Sequence, residues 1–312
     1  MRGVCNTERG IEVLDLPDPD PGTGVRVAVR SAGICGSDLH MIGFGPIPFP
    51  LGHELGGVLD DGTPVAIDPN DPCGACDQCD AGHPQRCRSM AQRARGTGTA
   101  GGMADAIVVD ESALVPCPSG LDAADACLVE PVGVAVHGLR IAGLSPGDRV
   151  AVVGAGSIGL AAVSAARPSA GAVALVARHD HQRAAGERLG ATSTVDGEYD
   201  VVVECAGTED ALARAVDLCR PGGTVLFLST HWVPVTIPGI PALMKELGFR
   251  WAITYGIHDG RRDLDDAAEI LAADPTIADV LITHRFPLDE AAEAFRVAAD
   301  RASGSIKVVL EP

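Results

Sequence analysis

Polar and apolar residues alternate over short stretches in the first third of the chain, and unbroken apolar runs follow in the middle. The alternating stretches, such as residues 25–30 and 106–110, lie between loops rich in Gly, Pro and Asp. They predict strands of a mostly antiparallel β domain. Beyond Leu139, apolar runs such as residues 150–153 and 172–177 alternate with helical stretches. Strands that are apolar on both faces and separated by helices predict a doubly wound parallel sheet, so the expected fold class is α/β.

The end of the chain returns to a simpler pattern. An amphipathic stretch, LDEAAEAFRVAADR at residues 288–301, predicts one more helix, and IKVVLE at residues 306–311 predicts a final strand. A length of 312 residues suggests about two domains.

Net charge narrows the range of partners. The chain has 42 acidic and 24 basic residues and a formal charge of −18, which argues against nucleic acid or an anionic membrane as a partner. The first residues carry charges where a signal peptide needs an apolar stretch, and the longest uncharged run, residues 150–166, is too short for a membrane span. We therefore expect a cytoplasmic protein that acts on a small molecule.

Four of the ten cysteines are packed closely together. Cys73, Cys76, Cys79 and Cys87 lie in a loop rich in Asp, Gly and Pro. Four thiolates at this density are typical of a closed, tetrahedral, structural Zn²⁺ site, whereas four exposed free thiols would be open to oxidation. The spacing predicts a structural zinc but indicates nothing about catalysis.

A glycine-rich turn joins the first apolar run of the middle region to an Ala-rich helix. The turn reads Gly154-Ala-Gly156-Ser157-Ile158-Gly159. Glycines at these positions permit a tight turn and a close approach of a pyrophosphate to the helix N-terminus. A second apolar run follows at the expected distance, so the turn predicts a dinucleotide cofactor.

The residues after the second apolar run bear on which dinucleotide binds. The position that holds an acidic residue in NAD-binding sites falls on Ala177, followed by Arg178 and His179. A small residue followed by two cationic side chains favours the 2′-phosphate of NADP. Asp180 is the competing candidate for a ribose contact, although it falls later, in the loop, and Arg178 as an ordinary solvated loop residue is the plain alternative.

A second zinc site is suggested by residues that are scattered along the chain. Cys35, His53 with Glu54, and Glu130 are candidate ligands of a catalytic zinc, which uses three protein ligands and leaves one position open. Each also has an ordinary interpretation: a buried small hydrophobe, a core histidine, or an acid at a helix end. Spacing alone leaves these two interpretations open.

Several strings together resemble the zinc-containing medium-chain dehydrogenase/reductase family over essentially the whole chain. They are GICGSDLH, LGHELGG, the cluster from Cys73 to Cys87, GGMADAIVV, LVEPVGVAVHG, VVGAGSIG, VVVECAG and RPGGTVLFLS. The resemblance implies a GroES-like, β-rich catalytic domain formed by residues 1–138 and 274–312. A Rossmann domain, residues 139–273, is inserted between these two segments. Within VVVECAG, Ala206 is expected at the cofactor site.

The resemblance also implies roles for the scattered residues. Cys35 and His53 match the family's catalytic-zinc ligands. Glu130 stands where alcohol dehydrogenases have a cysteine and polyol dehydrogenases a glutamate, and Glu54 matches a glutamate that can itself reach the metal. Which glutamate binds the resting zinc stays open. This pattern is similar to the sorbitol, butanediol and threonine dehydrogenase branch.

A proton relay is implied in the same way. Ser37 and His40 match the family's relay positions, and Asp38 is expected to orient His53. The alternative is a helix-capping serine and a surface histidine. The chain departs from the family in two places. Residues 40–52, which flank the substrate cleft in the family, are shorter than usual, and this weakens any inference about the substrate. The acid after the second Rossmann strand is missing, which departs from the NAD-using majority.

The expected function is therefore a zinc-dependent oxidoreductase that moves a hydride between a secondary alcohol or polyol, or the matching carbonyl, and NAD(P), with NADP favoured. Two alternatives are a zinc-independent quinone or enoyl reductase and a non-catalytic dinucleotide sensor on the same fold. The family's pairing through the edge of the Rossmann sheet implies a homodimer or homotetramer.

Overall fold

The computed structural model describes residues 1–300 and 302–312. Its strands are β1 (Arg2–Thr7), β2 (Gly10–Asp15), β3 (Val25–Gly33), β4 (Glu54–Val58), β5 (Pro64–Ile67), β6 (Ala106–Val109), β7 (Leu114–Pro116), β8 (Arg149–Val153), β9 (Ala172–Val176), β10 (Tyr199–Glu204), β11 (Cys219–Phe227), β12 (Gly248–Trp251), β13 (Ile257–His258), β14 (Arg261–Arg262), β15 (Ile282–Pro287) and β16 (Lys307–Glu311). Its helices are α1 (Gly36–Met41), α2 (Asp77–Asp80), α3 (Met90–Arg93), α4 (Val129–Ile141), α5 (Ser157–Ala166), α6 (Asp180–Arg188), α7 (Glu209–Leu218), α8 (Gly239–Met244), α9 (Asp263–Ala273), α10 (Thr276–Leu281) and α11 (Ala291–Ala299).

These elements form two compact units. The first unit contains residues 1–130 and 256–312, and the second contains residues 131–255. The predicted domains changed at residues 138/139 and 273/274, so both observed boundaries lie earlier in the chain. Helix α9 accounts for much of the difference. Arg262, which precedes it, donates to the carbonyls of Ser112 and Leu114 at 3.0 Å, and this ties the helix to the first unit.

The first unit is built around a seven-stranded sheet. The strand order is β15-β16-β3-β4-β5-β7, and β6 also pairs with β3. Strand β3 is antiparallel to β4, β6 and β16, and the register places Gly33 beside both Glu54 of β4 and Val309 of β16. The β3 side chains at Val27 and Val29 are fully buried in the core. The end of β3 is therefore the point where an early strand, its neighbour and the last strand of the chain meet.

The second unit is a parallel sheet with helices, which confirms the predicted Rossmann architecture. Its strand order is β12-β11-β10-β8-β9, and every neighbouring pair is parallel. Val150, Val152, Val202 and Val203 are fully buried, as strands covered on both faces require. The chain passes from β8 to β9 on one side, and β10 lies on the other side. The carboxyl end of β8 is thus the topological switch point where such sheets bind ligands.

The predicted final helix and strand correspond to α11 and β16, although Arg301, the last residue of the predicted helix, lies outside the described residues. The longest described helix, α4, has 13 residues, fewer than the ~20 that a membrane span needs. Among the described residues, no helix combines the length and apolar character required to cross a membrane.

Candidate functional site

Two neighbouring strands bring the scattered zinc candidates together. Cys35 follows β3 as the residue before α1, and His53 immediately precedes Glu54, the first residue of β4. Because β3 and β4 are paired with Gly33 opposite Glu54, the ends of the two strands lie side by side. One ligand atom from each of Cys35, His53 and Glu54 lies within 4.8 Å of the others. Residues far apart in sequence therefore form one cluster.

The orientation of His53 leaves one ring nitrogen facing this cluster. Its Nδ1 lies 3.4 Å from Oδ1 of Asp38, which is fully buried. The other Asp38 oxygen accepts a hydrogen bond from the Cys35 backbone N–H at 2.9 Å. Asp38 thus anchors the thiol-bearing residue through a hydrogen bond and lies against the imidazole as its charged neighbour. A carboxylate behind a ligating histidine sets its tautomer in this way and leaves Nε2 available to a metal.

The electrostatics of the cluster favour a cation. Burial disfavours the charged form of His53, but the negative charges of Asp38 and Cys35 raise its pKa well above the usual value. A site that stabilises a positive charge on the imidazole also attracts a metal cation. The donor set of one sulfur, one nitrogen and one carboxylate oxygen is one that Zn²⁺ accepts in catalytic sites.

Glu130 lies near this cluster but is not part of it at ligand distance. It is a buried residue in the first turn of α4. Burial raises the pKa of Glu130 to about 7, His53 counteracts this and Glu54 adds to it. The three-residue cluster defined by mutual distances within 4.8 Å contains Glu54 and not Glu130. Glu130 therefore affects the cluster electrostatically, and its carboxyl group is poised to exchange a proton near neutrality.

A buried lysine from the last strand holds Glu54, and the sequence did not predict this contact. Lys307 Nζ lies 2.6 Å from both Glu54 carboxylate oxygens and donates to the Ile34 carbonyl at 3.2 Å. The side chains of Lys307 and Glu54 are 1% and 0% exposed. Gly33 is required here because a Cβ at that position would collide with the Glu54 carboxylate. A signal for this contact was present in the sequence: one of only two lysines in the chain stands in the otherwise apolar run IKVVL at residues 306–310.

The predicted relay residues lie along α1. Ser37 Oγ is 3.4 Å from Nε2 of His53. His40 is exposed, and its Nδ1 lies 2.7 Å from the Gly36 carbonyl oxygen. Ser37 and His40 are three residues apart and so share one face of the helix. Ser37 contacts the buried cluster, and His40 lies at the surface.

The four clustered cysteines form a second group in the first unit. The Sγ atoms of Cys73, Cys76, Cys79 and Cys87 all lie within 4.8 Å of one another, and the described cysteines include no disulfide. Backbone N–H groups, that of Arg88 foremost, lower the pKa of Cys76. Burial and the neighbouring Cys76 raise the pKa of Cys79. Four converging sulfurs fit a tetrahedral Zn²⁺, which would hold all four as thiolates.

The glycine-rich turn adopts the geometry of a phosphate-binding loop. Gly154 has φ of +106°, a value that favours glycine, and a Cβ there would press on the backbone of Ala206 at 2.9 Å. A Cβ on Gly159 would collide with the Gly154 carbonyl. By contrast, a Cβ on Gly156 would meet no described protein atom within 4 Å. Packing within the protein explains Gly154 and Gly159, whereas Gly156 borders open space that a ligand could enter.

Helix α5 begins directly after this turn. Ser157 and Ile158 occupy its first two positions, with Gly156 as the residue before them. The first N–H groups of a helix have no partner within the helix and form a natural anion site. The turn, the first residues of α5 and the adjacent Ala206 therefore suit a dinucleotide pyrophosphate.

The loop after β9 carries Arg178 and His179, the two residues that were predicted to favour NADP. Arg178 is exposed and has no ion-pair partner within the described part of the chain. The His179 and His181 rings stack at 5.6 Å between centroids. Asp180, the rival ribose-binding candidate, begins α6 and forms an ion pair with Arg183. Asp180 is therefore ion-paired within its own helix, whereas the exposed Arg178 can contact a ligand.

Asp68 is a second titratable group that the sequence did not single out. It follows β5, and its Oδ1 accepts a hydrogen bond from the Asn70 backbone N–H at 2.9 Å. Burial raises the pKa of Asp68 to about 6, and this hydrogen bond and the nearby Arg262 and Arg95 only partly oppose the shift. Asp68 is also one of the charges that raise the pKa of Glu130.

Two protein-family models match the chain. The model described as the alcohol dehydrogenase GroES-like domain matches residues 21–119. The model described as zinc-binding dehydrogenase matches residues 145–310. The two matches follow one another along the chain and together span most of it.

Relatives and solved structures resemble the chain over nearly its whole length. The D-xylulose reductase of Scheffersomyces stipitis is 29% identical over 348 residues, covering 96% of this chain and 94% of that protein. A protein from Sinorhizobium meliloti assigned as a zinc-binding dehydrogenase, crystallised with NADP, is 31% identical with a TM-score of 0.87, covering 100% of this chain and 99% of that one. Galactitol-1-phosphate dehydrogenase of Escherichia coli is 26% identical with a TM-score of 0.87, and both chains are covered completely, at 100%.

The raised pKa of Asp68 predicts a pH-dependent stability. A carboxyl group whose pKa rises on folding favours the folded state below its unfolded value, here 3.8, and this contribution is lost as pH rises through about 6. The difference corresponds to up to roughly 3 kcal/mol. Asp68→Asn should remove this pH dependence. As pH rises from 3.8 to about 6, the free energy of unfolding of the variant should therefore increase relative to that of the unmodified protein. Urea unfolding followed by circular dichroism over a pH series measures it.

Asp61→Asn is the matched control, because Asp61 is exposed and its pKa is lowered by hydrogen bonds from Thr63. Parallel curves for the Asp68 variant and the unmodified protein would contradict the prediction.

Proposed function

Since the chain belongs to the zinc-containing medium-chain dehydrogenase/reductase family, we propose which of its residues carry out the family's chemistry. The protein is a zinc-dependent oxidoreductase that transfers a hydride between an alcohol or polyol, or the matching carbonyl, and NAD(P). The observation that carries the proposal is the cluster of Cys35, His53 and Glu54 with their ligand atoms within 4.8 Å.

We propose that Cys35 and His53 hold the catalytic zinc together with a glutamate, and the geometry favours Glu54 over Glu130. Zinc bound there supplies a Lewis acid that polarises the reacting oxygen of an alcohol or carbonyl. Asp38 lies beside His53 Nδ1 and would leave Nε2 to the metal. Glu130, with its pKa near 7, would hold or release a proton beside it.

Ser37 and His40 would move the alcohol proton between the buried cluster and solvent. Ser37 stands next to His53, and a hydroxyl both donates and accepts hydrogen bonds, so it can pass a proton on. His40 is exposed, and an imidazole has one ring nitrogen that accepts and one that donates a proton. In this proposal Ser37 receives the proton inside and His40 delivers it to water.

The relatives favour a polyhydroxylated substrate. D-Xylulose reductase and galactitol-1-phosphate dehydrogenase are both named for sugar-derived compounds. Their overall similarity to this chain, together with Glu130 in place of a cysteine, makes a ketose or the corresponding polyol our proposed substrate class.

We assign a structural role to the zinc of the four-cysteine cluster. Its ligand set is complete without water or substrate, which is typical of structural sites. The two proposed zinc sites lie in the same unit but share no ligand. A mutation can therefore remove the zinc of one site and leave the other in place.

The metal assignments predict two zinc ions per chain, one at each cluster. Cys35→Ser should remove one zinc and reduce NADPH-dependent reduction of D-xylulose and other ketoses by about a hundredfold or more, because the Lewis acid supplies several kcal/mol. Metal analysis and NADPH absorbance measure the two effects. Cys117→Ser, at a cysteine outside both groups, is the matched control and should leave both values unchanged.

The contrary outcomes separate the alternatives. One zinc per chain in the unmodified protein, with full turnover after Cys35→Ser, would favour a zinc-independent reductase. Cofactor binding without turnover on any alcohol or carbonyl would favour a dinucleotide sensor.

We further propose that the cofactor is NADP(H) rather than NAD(H). Gly154, Gly156, Gly159 and the start of α5 would bind the pyrophosphate. Arg178, exposed and without an ion-pair partner among the described residues, and His179 would bind the 2′-phosphate. The similar Sinorhizobium meliloti protein was crystallised with NADP.

This assignment predicts a preference for NADPH over NADH of roughly tenfold or more, or about 1.4 kcal/mol. Arg178→Ala should weaken NADPH binding by a similar factor and leave NADH binding unchanged, because NADH has no 2′-phosphate. Asp180→Ala is the control and should affect neither cofactor strongly. Dissociation constants from fluorescence titration provide the test, and tighter binding of NADH would instead point to Asp180.

An apolar surface of the second unit suits pairing of two chains. β12 is an edge strand of the parallel sheet. Trp251 on this strand is 57% exposed, and Ile240, Leu243 and Met244 of α8 are 73%, 69% and 77% exposed. Large apolar side chains concentrated in this way are unusual on a surface that stays in water. We propose that the chain forms at least a dimer through this edge.

Light scattering should therefore return at least twice the chain mass of 31.9 kDa. Leu243→Glu combined with Met244→Glu should shift the mass toward a single chain, because burying two carboxylates in an apolar interface is unfavourable. Phe44→Glu, at a residue of the first unit that is 78% exposed, is the control. A single-chain mass for the unmodified protein would refute the proposal.

A further inference from the structure

Lys307 contacts both chain segments that carry the proposed metal ligands. The ammonium uses all of its donor capacity on three acceptors: both Glu54 carboxylate oxygens and the Ile34 carbonyl. Ile34 immediately precedes Cys35, and Glu54 immediately follows His53. One side chain from β16 is thereby bonded to both segments that carry the proposed ligands.

The contact is also fully withdrawn from water. Lys307 and Glu54 are 1% and 0% exposed. A buried ion pair loses the hydration of both charges and persists only with good geometry and further hydrogen bonds. Here the Ile34 carbonyl completes the hydrogen bonding of Lys307, and Gly33 leaves the space that the Glu54 carboxylate occupies. The pair therefore has one well-defined arrangement.

The contact with Lys307 restricts how the Glu54 carboxylate can interact with a metal. A carboxylate whose two oxygens both bond an ammonium at 2.6 Å shares its negative charge with that ammonium. It is also held in place and is not free to turn toward a cation with both oxygens.

We propose that Lys307 is a positioning residue that restrains Glu54 and so limits the affinity and coordination number of the metal at Cys35, His53 and Glu54. This inference rests on the proposed function, because it requires that cluster to bind the catalytic metal. Restraining the glutamate preserves the open position that a catalytic metal needs for substrate. Without Lys307, the carboxylate would engage the metal more fully, and the metal would bind more tightly while the substrate competed less well.

The experiment measures Co²⁺ binding rather than turnover alone. The holoenzyme is loaded with Co²⁺, and its affinity at each site is obtained by chelator competition while the visible spectrum is recorded. Lys307→Met should tighten binding at the cluster by roughly tenfold or more, because the released Glu54 carboxylate can engage the metal more fully and this is the size expected of one additional charge-assisted contact. The spectrum should change toward the weaker absorption of higher coordination. Affinity at the four-cysteine site should stay constant and serves as the internal reference.

Three further variants make the test decisive. Lys307→Gln keeps one hydrogen bond to Glu54 and should show a smaller change in the same direction, even if Lys307→Met does not fold. In the Glu54→Gln background, Lys307→Met should have little effect on metal affinity, because the restrained carboxylate is gone. Lys245→Met, at the only other lysine, should change nothing, since Lys245 donates to the carbonyls of Asp217 and Cys219 in the second unit.

The outcomes distinguish this inference from the proposed function. Unchanged affinity and spectrum in both Lys307 variants, or weaker metal binding, would overturn the positioning role and leave the catalytic metal site intact. An unmodified protein that takes up a single Co²⁺ per chain, at the four-cysteine site, would overturn the proposed catalytic site and the role of Lys307 with it.

Discussion

The part of the first unit that carries Cys35, His53 and Glu54 is arranged around the buried ion pair between Lys307 and Glu54. The ion pair connects residues 253 positions apart in the chain, and it is possible only because β16 lies antiparallel to β3 and β3 to β4. Removing one partner would leave an isolated charge in the core, at a cost of several kcal/mol. Sheet register, the glycine at position 33 and the direction of the proposed ligands therefore depend on one another.

The two clusters of candidate metal ligands are positioned by the chain in two different ways. The four-cysteine group lies on a loop with only short helices, and its ligands come from within fifteen positions of sequence (Cys73 to Cys87). The Cys35–His53–Glu54 group lies at the ends of paired strands and has Asp38 and Lys307 behind it. A closed site can rely on the metal to order its loop, whereas a site that must keep one position open needs its ligands positioned by the protein.

Local sequence predicted the features that depend on local geometry. The turn at Gly154–Gly159, the four-cysteine cluster and the parallel strands each depend on residues close together in the chain. The structure confirms the parallel strands, has the turn directly before α5, and brings the four sulfurs within 4.8 Å of one another. The partner of Glu54 was not predicted, because it depends on the register between an early strand and the last one. Likewise, Asp68 looked like any loop acid, and its raised pKa arises from tertiary burial. The boundary at residue 255 reflects the packing of α9, which its own helical pattern does not reveal.

The distance along the chain between Lys307 and Glu54 also has a consequence for synthesis. A ribosome completes β3, α1 and β4 long before it adds the lysine that neutralises Glu54. During that interval the nascent ligand segments carry an unbalanced carboxylate that cannot be buried. The seven-stranded sheet therefore gains the counter-ion of Glu54 only with its last strand. This part of the first unit completes its contacts after the second unit has been translated, even though its own residues emerge first.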